Sequence, residues 1–218
     1  MPERPRTRTS LLETVRVRGG RVPLWPLHLE RVQRSAAALG YTLPPNPEPP
    51  SGGSDRICRL EFASRGRLMV TERQIEETAG LRLRTAPVPH RGYRHKTTNR
   101  EWLDVARLNA ASEGGDDVLF LSEDGFVAES SIWGIFWWEG GQLAAPPLDL
   151  GILPGVARAR LVELAGGLVE SRLRGPDLAA HGGFAANAGR GIVPLLEVDG
   201  IQVVPDGATG GLRERFWP

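Results

Sequence analysis

An α+β protein of two domains is what this sequence predicts, and three observations predict it. The chain has 218 residues, 40% of them hydrophobic, enough for one large domain or two small ones with ordinary cores. Strand-like alternation and helix-like spacing succeed each other without a fixed repeat. Two breaks interrupt them, PPNPEPPSGGSD at Pro44–Asp55 and APVPHRGY at Ala86–Tyr93. Proline fixes φ and removes donors while glycine loosens the chain, so the first break reads as a surface linker and the second as extended backbone. The expected division is a small α+β domain over residues 1–85, with 44–55 as a linker inside it. A short connection over 86–91 then leads to a larger domain over 92–218.

Each element has its own signal. Leu11 to Val22 alternates and contains Gly19-Gly20, a strand and a tight turn. From Trp25 to Leu39, Leu29, Val32, Ala36 and Leu39 recur at helical spacing before Gly40. Strands follow at Ile57–Phe62, Arg67–Thr71 and Leu81–Thr85. Asn99 to Ala111 is helical in pattern through Trp102, Val105 and Ala106, its face widened by Leu103 and Ala110. Asp117–Leu121 and Ile132–Trp138 read as strands flanking the turn Glu123-Asp124-Gly125. A helix begins after Pro154-Gly155, a short one covers Asp177–Ala180, and Ile192–Val198 with Ile201–Val204 predicts a hairpin about Asp199-Gly200.

Composition excludes several function classes. With 27 basic and 26 acidic residues the net charge is +1, which does not suit a nucleic-acid surface. The single Cys58 allows no intramolecular disulfide or multi-cysteine zinc site and fits a reducing cytoplasm. The longest apolar stretch, Ile132–Trp138, falls far short of the roughly 20 residues of a membrane helix. The first ten residues are basic with no apolar region behind them, so they read as a short disordered arm and not a secretory signal. No Walker loop, dinucleotide fingerprint, hydrolase serine elbow or paired-histidine metal motif is present, and no metal is expected.

One count stands out. Of the 27 basic residues 26 are arginine, and the lone lysine is Lys96. Coding bias accounts for the arginines. A retained lysine is also what chemistry needing a primary amine would demand, since a guanidinium stays protonated and forms no imine.

Four stretches, in order, carry a resemblance: LLETVRVRGGRVPLWPLHLERVQRSAAALGY, YRHKTTNRE, DDVLFLSEDGFVAESSIWGIF with PPLDLGILPGVAR, and FAANAGRGIVPL. Together they resemble the class IV, fold type IV aminotransferases and lyases, which use pyridoxal 5′-phosphate. The resemblance implies a small α+β domain and a larger pseudo-barrel α/β domain with the cofactor between them, and a homodimer. It places Lys96 as the lysine that holds the cofactor aldehyde and then moves protons. Glu129 matches the glutamate facing the cofactor's ring nitrogen, and Arg31 the arginine on its phosphate. Gly155, Val156 and Ala157 would open a helix onto that phosphate, Leu153 would lie against the ring, and Ala188 belongs to the second phosphate-side loop.

The match has departures. The family usually has threonine at Ala157 and threonine or serine near Ala188, so two phosphate hydroxyls are lost, at about 1 kcal/mol each. Gly134 stands where asparagine is usual. The family's first strand and its Gly-Asp-Gly turn are missing ahead of Leu11, a shortened N-terminus, and the Pro-rich linker replaces a second helix of the small domain.

Within the family, KTTNRE is closer to the aminodeoxychorismate lyases than to branched-chain aminotransferases, which usually place a tyrosine where this chain has Glu101. The implied reaction releases pyruvate and 4-aminobenzoate from 4-amino-4-deoxychorismate, a folate-pathway step. Thr14 or Thr97 would assist the leaving group, and Tyr93 and Arg94 would line the substrate side. Alternatives are a transaminase of D- or branched-chain amino acids, and a non-catalytic member that binds a ligand or partner. Its partners are then a small-molecule substrate and a second copy, with no nucleic acid or membrane, in the cytoplasm.

Overall fold

The computed structural model describes residues 9–63 and 66–218. The basic arm expected at the start lies, through residue 8, outside them. The described chain divides into two compact units: one runs to Gln74 and takes in His95–Arg100, and the other comprises Ile75–Arg94 and Glu101–Pro218.

In the first unit, β1 (Leu11–Val17), β2 (Arg56–Phe62) and β3 (Leu68–Arg73) form an antiparallel sheet in that order. α1 (Trp25–Leu39) covers one face. Pro26 suits its first turn, where a missing N–H costs nothing, and Gly40 ends it at φ 69°, a left-handed conformation that favours glycine. Leu11, Val15 and Val17 meet Val32, Ala36, Cys58, Leu60 and Phe62 in the core. The inward stripe of α1 is His28, Arg31, Val32, Ser35 and Ala36, while Leu39 is exposed. Apolar spacing thus located the helix but not the polar half of its buried face.

The segment between α1 and β2 has no helix, yet it is anchored. Gly52 N–H donates to Gly20 O (2.9 Å), and Asp55 Oδ1 accepts from Gly19 N–H (2.9 Å). Both turn glycines have positive φ.

The second unit begins with β4 (Leu81–Thr85), α2 (Glu101–Ser112), β5 (Asp117–Leu121) and β6 (Val127–Ser130). It continues with β7 (Gly134–Glu139), β8 (Gln142–Ala145), α3 (Val156–Ala165) and β9 (Val169–Glu170). β10 (Phe184–Asn187), β11 (Gly191–Val198), β12 (Ile201–Gln202) and α4 (Thr209–Arg215) complete it. Its strands form a curled half-barrel sheet in the order β6-β5-β4-β11-β10-β7-β8-β9, with β12 on β11. β4 is parallel to both β5 and β11, so it is a central strand of this unit. The break at Ala86–Tyr93 instead predicts it as the last strand of the first domain.

Two further expectations change. The strand that pairs with β5 across the Glu123-Asp124-Gly125 turn is β6, not Ile132–Trp138. The latter region instead gives β7, which pairs with β10 and β8. β6 is buried on both faces, so VAES shows no alternation, and its Glu and Ser residues disguise it as a loop. On α2 the packed positions are Trp102, Leu103, Ala106 and Ala110, whereas Val105 is more than half exposed. Trp133 and Trp137 lie in the main core. The hairpin at Asp199-Gly200 forms with φ 49° and 85°, the left-handed pair a two-residue turn requires. No helix among the described residues is long and apolar enough to cross a membrane.

Candidate active site

The first unit builds a buried charged cluster from strand and helix periodicity. Alternation along β1 turns Glu13 inward with Leu11, Val15 and Val17. On α1, His28 and Arg31 are three residues apart and therefore share the face that meets it. Glu13 is 1% exposed, and a carboxylate so placed must be paired. Arg31 donates from Nε to Oε1 (2.9 Å) and from Nη2 to Oε2 (2.5 Å), and His28 Nδ1 lies 2.6 Å from Oε2. Burial would raise the carboxyl pKa, but the Arg31 charge and the His28 bond outweigh it and bring it down to about 2. Burial lowers the pKa of His28, the Glu13 bond opposes this, and the charges of Arg31 and Lys96 add to the lowering. His28 Nε2 has no hydrogen-bond partner among the described residues.

Lys96 reaches this unit through backbone pairing. Its carbonyl accepts Leu12 N–H (2.8 Å), Thr97 stands opposite Leu11, and Thr98 N–H donates to Ser10 O (2.9 Å). Ser10 N–H in turn donates to Thr98 Oγ1 (2.9 Å). His95 Nδ1 lies 3.1 Å from Ser35 Oγ on the polar face of α1. A short edge on β1 and a tie to α1 thus fix the lysine close enough for its charge to act on His28. Of the residues singled out in the sequence, the structure brings together Lys96, Thr97 and Arg31 here. Thr14 is half-buried on the opposite face of β1 from Glu13. Glu13, His28, His95 and Ser35 escaped sequence reasoning. Their signal is a set of polar residues at positions where the periodicity calls for apolar ones.

The second unit contributes a carboxylate and a helix start. Glu129, on β6, is 7% exposed. Its Oε1 lies 2.8 Å from His90 Nε2, and Leu153 N–H lies 3.3 Å from both carboxylate oxygens. His90 Nδ1 accepts Gly92 N–H (3.2 Å), and its ring meets Trp102 and Phe120 edge-on. Two residues beyond Leu153, Gly155 caps α3 in an extended conformation with no side chain bonded to the cap. The first-turn amides, those of Val156 and Ala157 included, therefore point out of a helix whose dipole favours an anion. Both side chains are buried, and Leu153 is half-buried. Ala188 follows β10 in a turn where Asn187 Oδ1 accepts the N–H groups of Gly189 and Arg190 (3.0 and 2.8 Å).

The two residues assigned to the substrate side differ. Tyr93 is 7% exposed and packs with Leu103, Phe120 and Ile152, its N–H donating to Gly151 O (2.7 Å). Its ring is a core element. Arg94 is exposed, with Nη2 3.3 Å from Asp149 O. At Gly134, a Cβ would stand 3.0 Å from the Phe136 ring, so the usual asparagine would require that ring to move.

The donor set suits pyridoxal phosphate. The first unit holds an amine and a buried guanidinium, residue types that suit an aldehyde and a phosphate, and the second unit holds a hydrogen-bonded carboxylate and an uncapped helix start. Arg31 gives two of its three guanidinium nitrogens to Glu13. No group of three or more metal-ligating side chains occurs among the described residues.

The sequence profile of the family described as Amino-transferase class IV matches residues 67–198, more than half of the chain. A Schizosaccharomyces pombe protein provisionally named an aminodeoxychorismate lyase is 29% identical over 171 residues, covering 71% of this chain and 74% of that one. Bacillus subtilis aminodeoxychorismate lyase is 49% identical over 47 residues, 22% of this chain and 16% of that protein. Among solved structures, the branched-chain aminotransferase of Thermoproteus uzoniensis with norvaline superposes with a TM-score of 0.82 at 22% identity, covering 96% of this chain and 84% of that one. A Mycobacterium tuberculosis protein described as a hypothetical aminotransferase, bound to α-ketoglutarate and PMP, gives 0.81 at 20% identity, over 97% and 89%.

Proposed function

Because the chain belongs to the class IV aminotransferase family, whose members are pyridoxal-phosphate-dependent enzymes, we propose that it is a lyase converting 4-amino-4-deoxychorismate to pyruvate and 4-aminobenzoate. The observation that carries this reading is the relative matched over most of both chains, which bears a lyase name. The run Lys96-Thr97-Thr98-Asn99-Arg100-Glu101 supports it.

When bound, the cofactor withdraws electrons from the substrate carbon beside the nitrogen. In this proposal Lys96 Nζ takes the proton from that carbon, and Glu129 holds a proton at the cofactor's ring nitrogen. Arg31 would be the cation for the phosphate, the first-turn amides of α3 would stand in for the hydroxyls that Ala157 and Ala188 lack, and Leu153 would lie against the ring. The enolpyruvyl group leaves as the substrate ring becomes aromatic and gains its proton from Thr97 or Thr14. Arg94 is the candidate cation for a substrate carboxylate. The proposal includes a cytoplasmic homodimer, checked by light scattering.

A second reading, branched-chain aminotransfer, has support in a Methanocaldococcus jannaschii relative, 34% identical over 117 residues that make up 51% of this chain and 40% of that one. Product analysis separates the two. Pyruvate formed without an added keto acid supports the lyase, and strict dependence on a keto acid acceptor overturns it in favour of aminotransfer. The companion test is Lys96→Arg, which keeps the charge and removes the primary amine. It is expected to abolish the imine band of the bound cofactor together with turnover. Unchanged absorbance would remove Lys96 from the mechanism.

A further inference from the structure

Among the described residues, Glu129 is the one buried carboxylate of the second unit with a histidine as its partner, and that histidine's ring is held by a hydrogen bond at each nitrogen and by two aromatic rings. Gly92 N–H donates to His90 Nδ1 (3.2 Å), so this nitrogen is an acceptor and the ring proton resides on Nε2. Nε2 then donates to Glu129 Oε1 at 2.8 Å. Gly92 adopts φ +82° to turn its amide back onto the ring, a conformation that a side chain would strain. Trp102 and Phe120 approach the ring edge-on at 5.4 and 5.8 Å, and each other at 5.0 Å, leaving it one orientation. The His90 side chain is 1% exposed. It presents a single N–H in a single direction.

We propose that His90 is a positioning residue for Glu129. Its N–H and the Leu153 amide both engage Oε1, whereas Oε2 receives only the Leu153 amide. Oε2 therefore keeps the lone pair available to a ring nitrogen, and His90 decides which oxygen that is. The inference rests on the reading of Glu129 as the carboxylate facing the cofactor ring. His90 lies outside the stretches that carry the family resemblance, six residues ahead of Lys96.

Two substitutions separate its two bonds. His90→Asn places an amide oxygen near the Nδ1 position, keeping an acceptor for Gly92, but is too short to reach Glu129. His90→Gln extends an amide N–H to the Nε2 position and restores the donor. Each is made in the wild type and in a Glu129→Gln background. The measurements are the dissociation constant of pyridoxal phosphate, the 15N signal of its labelled ring nitrogen, and thermal unfolding of the cofactor-free protein. We expect His90→Asn to weaken cofactor binding about tenfold, the worth of one hydrogen bond to a charged group, and to move the ring nitrogen toward its unprotonated signal. His90→Gln should recover most of both effects, and in the Glu129→Gln background His90→Asn should add nothing. If Glu129→Gln moves the ring signal and a folded His90→Asn does not, the inference fails while the reading of Glu129 stands. If Glu129→Gln itself leaves that signal in place, the reading fails first. Should His90→Asn not fold, His90→Gln decides: a wild-type ring signal supports the donor role, and a shifted one overturns it.

Discussion

The two units each contain a glutamate bonded to a histidine, and the pairs have opposite consequences. In the first, Glu13 also receives two guanidinium nitrogens from Arg31 and is 1% exposed. Three hydrogen bonds reach its two oxygens, two of them from the Arg31 cation, and its pKa falls to about 2. In the second, Glu129 has His90 and one backbone amide and no cation among its hydrogen-bond partners. The added arginine converts a carboxylate that could meet a ligand into one that holds its own unit together. The comparison teaches that residue type and burial do not separate a structural carboxylate from a ligand-facing one. A cation bonded to the carboxylate does.

Breaking the first pair should have the largest effect. Glu13→Gln leaves the Arg31 charge buried without its counter-ion, a change that costs about 3–5 kcal/mol, read by chemical unfolding. Glu129→Gln should cost about 1 kcal/mol or less of stability in the cofactor-free protein, yet weaken pyridoxal phosphate binding by about 10–100-fold. Equal stability losses would dissolve the distinction between the pairs.

Acid sharpens it further. Glu13 has a folded pKa below its ordinary 4.5, so its contribution is complete above that value and is lost as the pH falls toward 2. His28 is also lowered, from 6.5, and its contribution fades as the pH drops below that value. Asp117 on β5 behaves in the reverse sense. Burial raises its pKa above 3.8, so whatever it contributes is present at low pH and lost as the pH rises through its folded value. Hydrogen exchange between pH 7 and 4, corrected for intrinsic rates, should therefore loosen β1 and α1 before β5. Uniform loosening would contradict the assignment. The smallest expected effect is a gain: Ala157→Thr supplies the first turn of α3 with a hydroxyl and should tighten cofactor binding by about fivefold. An unchanged dissociation constant would mean the backbone amides already saturate the phosphate.

Much of this was legible in the sequence, and what was not has physical reasons. The boundaries of α1 follow from Pro26, Gly40 and a 3.6-residue spacing, and β5 from an apolar run, because those signals are local. The membership of β4 was not legible, since parallel partners lie more than 30 residues away in sequence and leave no mark on the strand itself. β6 was hidden because a strand buried on both faces loses its alternation, and here the buried residues include Glu129 and Ser130. Lys96, Glu129 and Arg31 were found through a resemblance and not through periodicity. Glu13, His28 and His90 needed three dimensions, because each is defined by a partner between 15 and 39 residues distant.

The short edge that carries Lys96 also sets an order of events. Residues 95–100 belong to the first unit yet leave the ribosome about twenty residues after Gln74. Until they emerge, the outer side of β1 near Ser10 and Leu12 offers unclaimed backbone groups, the kind of edge that recruits foreign strands. The nascent first unit is therefore vulnerable for that interval, and the segment that ends its exposure is the one that delivers the amine.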